Sequence, residues 1–244
     1  MTRKLGAVLT LTLFTSGILA HAQFRDMWGT GWNNPVSASI GSSIYWKTMT
    51  MPPKQGKTAP ATIAPTTTTT APPAQKPRTV NYSPAKKSTT PRNIAGTFQT
   101  EPADQKELED TFVAFLDFFN TKVTTGPDRF NVASAAAFFM AINYSVATGK
   151  EVSDKRVEAL RDALQANLLT HEKFQAMSAS RRQELHETLV IYAMLSQTGY
   201  REGEEKGDKQ QMANFKDFAR QSLKAVLGAT PEQMVFTDTG LTFK

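Results

Sequence analysis

Residues 131–148 constrain the fold most strongly, because they are apolar on almost every side of a helix. A helix that is apolar all round is stable in water only when other helices enclose it. The stretch has 18 residues and approaches the length of a membrane span, but its many alanines and the polar residues Ser134, Asn143 and Ser145 argue against a span. The stretch therefore predicts the central helix of an all-α bundle, ended by Gly149 as a left-handed cap.

Four further segments place apolar side chains at steps of three and four, the pattern of helices with one buried face. They run from Asp104 to Lys122, from Ser153 through Leu168, from Ser178 or Ser180 to Lys206, and from Asp208 to Gly228. A capped turn at Thr230 and a short strand or turn from Val235 to Phe243 follow the last helix. Together the pattern predicts a five-helix bundle over about residues 96–244.

The N-terminus has the three parts of an export signal. Arg3 and Lys4 precede an apolar run that ends at Leu19, and Ala20-His21-Ala22 matches a small-x-small cleavage pattern. This predicts a signal peptide over residues 1–22, a mature chain that begins at Gln23, and an exported protein that is periplasmic or secreted. The alternative is an uncleaved anchor, for which the run is short, since a bilayer needs about 20 apolar residues. No transmembrane span is expected in the mature chain.

Charge and proline content divide the mature chain in two. Residues 23–95 hold nine Lys and Arg against the single acid Asp26, a net charge of +8, whereas residues 96–244 have a net charge of −4. Residues 51–95 contain nine of the 13 prolines, an unbroken threonine run and few large apolar side chains. Such a stretch cannot bury enough surface to offset its ordering entropy, so it is predicted to be a disordered linker. Proteolysis is expected to leave a resistant fragment that begins near Phe98.

Residues 23–50 differ from the linker because they are rich in aromatic side chains. This stretch contains all three tryptophans of the protein, namely Trp28, Trp32 and Trp46. We interpret it as an aromatic docking segment, since buried aromatic area is a common means of holding a terminus in place. It docks either on the protein's own domain or on a partner.

The sequence lacks the motifs of several enzyme classes. It contains no cysteine, which excludes disulfides, thiolate metal sites and cysteine nucleophiles. His186-Glu187 has no second histidine at Val190, so the zinc-protease motif fails. His171 and His186, the two histidines left after export, share no partner in the sequence and are predicted at the surface or its boundary. No catalytic, metal or cofactor-binding residue is therefore predicted.

A few polar and aromatic residues have both a structural and a functional interpretation. Asn143 is predicted to tie two helices together, because a buried amide has to be hydrogen-bonded. Glu184 and Glu187 share one helix face and are predicted to be solvated. A solvated loop is also predicted for the acidic residues Glu202, Glu204, Glu205 and Asp208. The predicted core includes the aromatic pairs Phe118-Phe119 and Phe138-Phe139.

Six stretches together resemble a known family. They are the N-terminal signal, residues 28–34 (WGTGWNN), the Pro/Thr linker, residues 138–144 (FFMAINY), residues 148–154 (TGKEVSD) and residues 184–189 (ELHETL). The set resembles a family of exported bacterial proteins known only as a domain of unknown function, the 6683 family. The resemblance implies a secreted helical domain and carries no activity or catalytic residue.

Two functional hypotheses follow. The first is a non-enzymatic binding or structural component of the bacterial envelope or secretome, in which the basic region contacts anionic polymers such as cell-wall chains, or lipid head groups. Nucleic acid is not an expected partner, because export separates the protein from it. The alternative is an envelope hydrolase that works through a pair of carboxylates, which requires a concave cleft with two facing acids.

Overall fold

A computed structural model describes residues 78–85, 87–98 and 102–244. The predicted signal peptide, the aromatic docking segment and the linker up to residue 77 lie outside these ranges. The described part consists of seven α-helices and one β-hairpin. They are α1 (Thr90–Ala95), α2 (Pro102–Phe118), α3 (Val132–Thr148), α4 (Asp154–Thr170), α5 (Glu172–Gln175), α6 (Ala179–Lys206) and α7 (Lys209–Leu227), followed by β1 (Met234–Thr237) and β2 (Gly240–Phe243). The all-α prediction is confirmed, with α2, α3, α4, α6 and α7 as the five main helices.

Helix α3 is the centre of the bundle and packs against α4, α6 and α7. Its N-terminus is capped by Asn131, whose Oδ1 accepts hydrogen bonds from the backbone N–H groups of Ala133 (2.8 Å) and Ser134 (3.2 Å). The helix ends at Gly149, which has a left-handed φ of 72°. Both bounds agree with the predicted central helix.

Helices α6 and α7 form a tightly packed pair. Gly207 ends α6, and the Asp208 carboxylate caps α7 by accepting a hydrogen bond of 2.9 Å from the backbone N–H of Gln211. Gly199 of α6 lies under the ring of Phe215, so a Cβ at this position would stand 2.0 Å from the ring Cζ. The predicted ends of these two helices are confirmed, and Gly199 sets how closely they approach each other.

The helical run that begins with α2 ends close to the predicted Lys122, but its last turn is not α-helical. The helix continues into a π-helical turn over Phe119–Val123, in which the backbone N–H and the hydroxyl of Thr124 both donate to the Phe119 carbonyl, at 2.9 and 3.0 Å. This wider turn buries the side chain of Phe119 and leaves that of Phe118 41% exposed. The prediction that both residues belong to the core is therefore wrong for Phe118.

Residues 78–85 and 87–95, which we call the arm, pack on the bundle. The side chains of Val80, Tyr82 and Ile94 are buried in the same hydrophobic core as the main helices. The predicted disordered linker is thus wrong for the described residues of the arm, because well-spaced apolar side chains and backbone hydrogen bonds are enough to hold it. The protease-resistant fragment is accordingly expected to begin near Arg78 rather than near Phe98.

None of the helices in residues 78–85, 87–98 and 102–244 combines the length and apolarity that a bilayer crossing requires.

Candidate functional site

The arm is attached at the N-terminal end of α3. The backbone N–H of Tyr82 donates to the carbonyl of Phe130, and that of Val132 donates to the carbonyl of Val80, each at 3.2 Å. The side-chain amide of Asn81 donates to the carbonyl of Pro127 at 2.8 Å. Phe130 takes a left-handed φ of 58° in this contact. These bonds form a short strand-like pairing that fixes the course of the arm.

The guanidinium group of Arg182, in α6, binds a backbone carbonyl of the arm. One guanidinium nitrogen donates to the carbonyl of Thr79 at 2.9 Å, and the other donates to the carbonyls of Phe174 (3.2 Å) and Gln175 (3.1 Å). The guanidinium carbon also lies 4.7 Å from the centre of the Phe174 ring. Burial lowers the pKa of Arg182. Carbonyl dipoles therefore stabilise this buried cation and join the arm, α5 and α6 at one point.

Gln183, next to Arg182, and Glu187, one turn beyond Gln183, continue the attachment along α6. The Glu187 carboxylate accepts hydrogen bonds from the Ser88 hydroxyl and from the Gln183 amide, the latter at 2.8 Å. The Gln183 side-chain oxygen in turn accepts from the backbone N–H of Ala85 at 2.9 Å. Glu187 is only 6% exposed, so the prediction of a solvated side chain is wrong there. The hydrogen bonds of Ser88 with Glu187 and of Ala85 with Gln183 thus hold the arm on α6.

Glu184, the other acid of the predicted solvated pair, points the opposite way. Its carboxylate pairs with Arg181 at 2.5 Å, and both side chains are more than 40% exposed. The prediction of a solvated face is therefore confirmed for Glu184 alone.

His186 is the most deeply buried group of this junction, with no exposed surface. Its Nδ1 shares a hydrogen bond of 3.0 Å with the Tyr82 hydroxyl, and its ring stands edge-on to those of Tyr82 and Phe119. Burial lowers the pKa of His186 to about 3. Burial and the charge of Glu187 raise the pKa of Tyr82. The imidazole is thus neutral and enclosed, and the prediction of a surface histidine is wrong for His186.

The other histidine, His171, agrees with the prediction of a boundary position. It is partly exposed, and its Nδ1 accepts a hydrogen bond of 3.4 Å from the backbone N–H of Phe174 at the start of α5. His171 thus serves as a helix cap.

The buried His186 predicts an acid-sensitive fold. A pKa near 3 when folded against 6.5 when unfolded means that the unfolded chain holds an extra proton at any pH between these values. Stability from this group is fully present above about pH 7 and is lost as the pH falls through 6.5 toward 3. We expect a loss of about 2 kcal/mol between pH 7 and pH 5.

Urea unfolding of wild type and His186→Gln at the two pH values measures this effect. The variant is expected to be less stable at pH 7, because glutamine cannot reproduce the ring contacts, and to lose about 2 kcal/mol less than wild type on acidification. Equal losses in the two proteins would show that His186 does not titrate on unfolding.

A different site lies at the C-terminal end of α3. Two adjoining clefts, of about 380 and 270 Å³, share the lining residues Tyr144, Lys150, Met234 and Lys244. We call them together the basic cleft. Its cationic side chains are those of Lys150, Arg156, Lys216, Arg220 and Lys244. These residues come from α4, α7, the loop after α3 and the end of the hairpin, so the fold alone brings them together.

Three of these five cationic side chains already interact with an acid or an aromatic ring of the protein. Arg220 contacts Glu232 at 3.7 Å, Arg156 contacts Asp238 at 3.6 Å, and Lys216 Nζ lies 5.5 Å from the centre of an aromatic ring, that of Tyr200. The side chains of Lys150 and Lys244 form no ion pair within the described ranges, and both are exposed. These two ammonium groups are the ones that a ligand can reach without breaking an existing contact.

The acids of the basic cleft do not form a pair. Glu232 lines one of the two clefts and Glu151 lines the other. Hydrogen bonds from its own backbone N–H and from the Thr230 hydroxyl lower the pKa of Glu232, which keeps it ionised. A general acid needs a raised pKa, so this arrangement gives no support to a hydrolase with two facing carboxylates.

The remaining sequence-predicted residues have structural roles. Asn143 is fully buried; its amide donates to the Phe139 carbonyl at 2.9 Å, and its oxygen accepts from the Ser196 hydroxyl at 2.6 Å. The predicted tie between two helices, α3 and α6, is confirmed.

The acidic residues at the end of α6 are solvated as predicted, but Glu202, Glu204 and Glu205 lie in the last turns of the helix and not in a loop. Glu202 pairs with Lys206 at 2.5 Å, Glu204 and Glu205 are exposed, and Asp208 is the cap of α7. Across residues 78–85, 87–98 and 102–244, acids and histidines are nowhere grouped as metal ligands would be.

Comparison with known proteins gives one finding. The model of DUF6683, described as a family of unknown function, matches residues 2–244. Searches among curated proteins and among solved structures give no match.

Proposed function

The chain belongs to DUF6683, a family of unknown function, and we propose that it is an exported, non-enzymatic protein that binds anionic polymers of the bacterial envelope. The basic cleft is the observation that carries this proposal. It gathers five cationic side chains on a domain whose net charge, over residues 96–244, is −4. The five cations outnumber the two acids of the cleft, Glu151 and Glu232, and a concave surface with an excess of one charge sign focuses the field and raises the local concentration of oppositely charged groups.

The basic N-terminal region supports the same function. Residues 23–95 have a net charge of +8, and the arm attaches their last part to the N-terminal end of α3. The basic cleft lies at the other end of α3, about 25 Å away for 17 residues at 1.5 Å each. Two cationic regions at opposite ends of one domain suit a ligand with many repeated negative charges better than a small anion.

The proposed interaction is weak and sensitive to salt. The cations involved are exposed, so counterions screen them over about 8 Å at physiological ionic strength. We expect low affinity for each contact and a useful overall affinity only from several contacts along one polymer. Anionic lipid head groups present the same negative charges on a membrane surface. The experiment below distinguishes such a surface from a soluble anionic polymer.

The test compares two lysine pairs in the full chain. Lys150→Gln/Lys244→Gln removes two free cations of the basic cleft, and Lys122→Gln/Lys173→Gln removes two exposed cations elsewhere. Binding is measured to soluble polyphosphate of fixed length at low and high salt. We expect the cleft variant to bind about two- to thirtyfold more weakly than the control variant, as for two exposed charge pairs of about 0.2–1 kcal/mol each.

Two outcomes would contradict the proposal. Equal weakening in the two variants would show that net charge alone matters and that the cleft has no role. Binding to vesicles that contain anionic phospholipid, without binding to polyphosphate, would point to a membrane surface in place of a polymer.

A further inference from the structure

Helix α2 has an exposed face that is partly apolar. Among the described residues, the large apolar side chains with the highest exposure are those of Val113, Phe118, Val123 and Phe243. Three of these four lie on α2 and its π-helical turn. Val113 is 50% exposed and Phe118 is 41% exposed, with the exposed Ala114 and Asp117 between them. We call residues 113–118 with their exposed side chains the α2 face.

We propose that the aromatic docking segment of the same chain, residues 23–50, packs on the α2 face. The segment carries Trp28, Trp32 and Trp46, the large flat side chains that contribute most area at such contacts. An aromatic side chain buries about 150–250 Å², so even one or two of them would cover Val113 and Phe118. The proposal does not depend on the basic cleft or on its ligand.

The arm passes close to the end of α2. The Tyr82 ring centre lies 5.2 Å from that of His186, which lies 5.5 Å from that of Phe119, so the arm passes within about 11 Å of the end of α2. Residues 51–77 connect the arm to the aromatic segment and can span up to about 80 Å at 3.1 Å per residue. The connection is therefore long enough for the segment to reach any part of α2.

Charge favours the same contact. Residues 102–123 contain five acids and two lysines, a net charge of −3, and Asp117 is exposed in the middle of the α2 face. The aromatic docking segment, residues 23–50, has a net charge of +1, and the adjoining residues 51–77 have a net charge of +3. Opposite charges around an apolar contact steer the two surfaces together and fix their orientation.

Tryptophan fluorescence provides a direct test, because residues 28–46 contain every tryptophan of the protein. The full chain is purified, and acrylamide quenching and the emission maximum are measured against a synthetic peptide of residues 23–50. We expect the tryptophans of wild type to be protected from quenching and to emit at shorter wavelength than the peptide.

Phe118→Ser provides the test of the site, and Phe243→Ser is its matched control, since each side chain is 41% exposed. We expect Phe118→Ser to shift quenching and emission toward the peptide values, and Phe243→Ser to leave them at wild-type values. Asp117→Lys, which removes the central negative charge without removing apolar area, is expected to produce a smaller shift in the same direction. Helical circular dichroism of each variant shows that the bundle has folded.

Three results would overturn the proposal. Peptide-like quenching in wild type would show that the segment does not dock on this chain. Equal behaviour of Phe118→Ser and Phe243→Ser would place the docking site elsewhere. Protection that disappears on dilution would assign the α2 face to a second copy of the chain.

Discussion

Asn143→Asp is expected to destabilise the fold by about 3–5 kcal/mol near pH 7, the cost of an uncompensated buried charge. Asn143 is fully buried, and within the described residues the Ser196 hydroxyl is the side-chain donor to its oxygen. The carboxylate would also lose the donation to the Phe139 carbonyl. Urea unfolding of the full chain measures the effect, and the difference from wild type should shrink at acid pH as the aspartate becomes protonated.

Asn143→Leu separates the loss of hydrogen bonds from the burial of charge. Ser196 keeps an alternative acceptor, because its hydroxyl also lies 2.9 Å from the Tyr192 carbonyl. We therefore expect a smaller loss than for aspartate, about 1–3 kcal/mol, which includes the strain of the branched side chain.

The control for both changes is Asn93, an exposed residue of α1, where substitution by Asp or Leu is expected to stay within about 0.5 kcal/mol. From the sequence alone, the polar residue Gln211 is expected to be exposed and to serve as the same kind of control, but this expectation is wrong. It is 8% exposed, and its amide donates to the Gly199 carbonyl at 2.9 Å. Wild-type stability in both Asn143 variants would contradict the central position of α3.

Gly199→Ala is expected to destabilise the fold by at least about 2 kcal/mol, because it overpacks the contact between α6 and α7. The new methyl group would lie 2.0–2.4 Å from three ring atoms of Phe215, far inside van der Waals contact. The ring fills the groove in front of Gly199 and is buried, so it cannot swing out to solvent. Thermal or urea unfolding gives the magnitude.

Two further variants identify the cause of that loss. Phe215→Leu removes the ring, so the double variant Gly199→Ala/Phe215→Leu should lose less stability than the sum of the two single changes. Gly96→Ala is the control glycine, because its φ is right-handed and its new Cβ would stand 3.4 Å from the nearest atom. Additive losses in the double variant would show that the Phe215 ring is not the obstacle.

The bounds of the helices could be predicted because the residues that set them are local. Asn131, Gly149, Gly207 and Asp208 act within one turn of their own position, through cap hydrogen bonds and left-handed backbone. Asn143 could be predicted for a related reason. A single amide in a helix that is apolar all round has no solvent to face, so it has to find a partner inside the bundle.

The arm and the basic cleft could not be predicted in the same way, since both are made by tertiary contacts. Val80 and Tyr82 are isolated apolar residues in a proline-rich stretch, and they are buried only because the folded bundle offers them a core. Lys150 and Lys244 are 94 positions apart in the sequence and meet only after folding.

The burial of His186 could be predicted in part from the sequence. It stands three and four residues before Leu189 and Val190, so the apolar stripe of α6, extended by one turn, includes it.

The junction between the arm and α6 has a consequence for the order in which the nascent chain can fold. Its hydrogen bonds join residues 98 to 104 positions apart, from Ala85 with Gln183 to Tyr82 with His186. At a synthesis rate of about 5–20 residues per second, the arm leaves the ribosome about 5–20 s before its partners on α6 do. During that interval Val80 and Tyr82 lack the part of the core that α6 supplies. Closing the arm on α6 is thus a late step of folding.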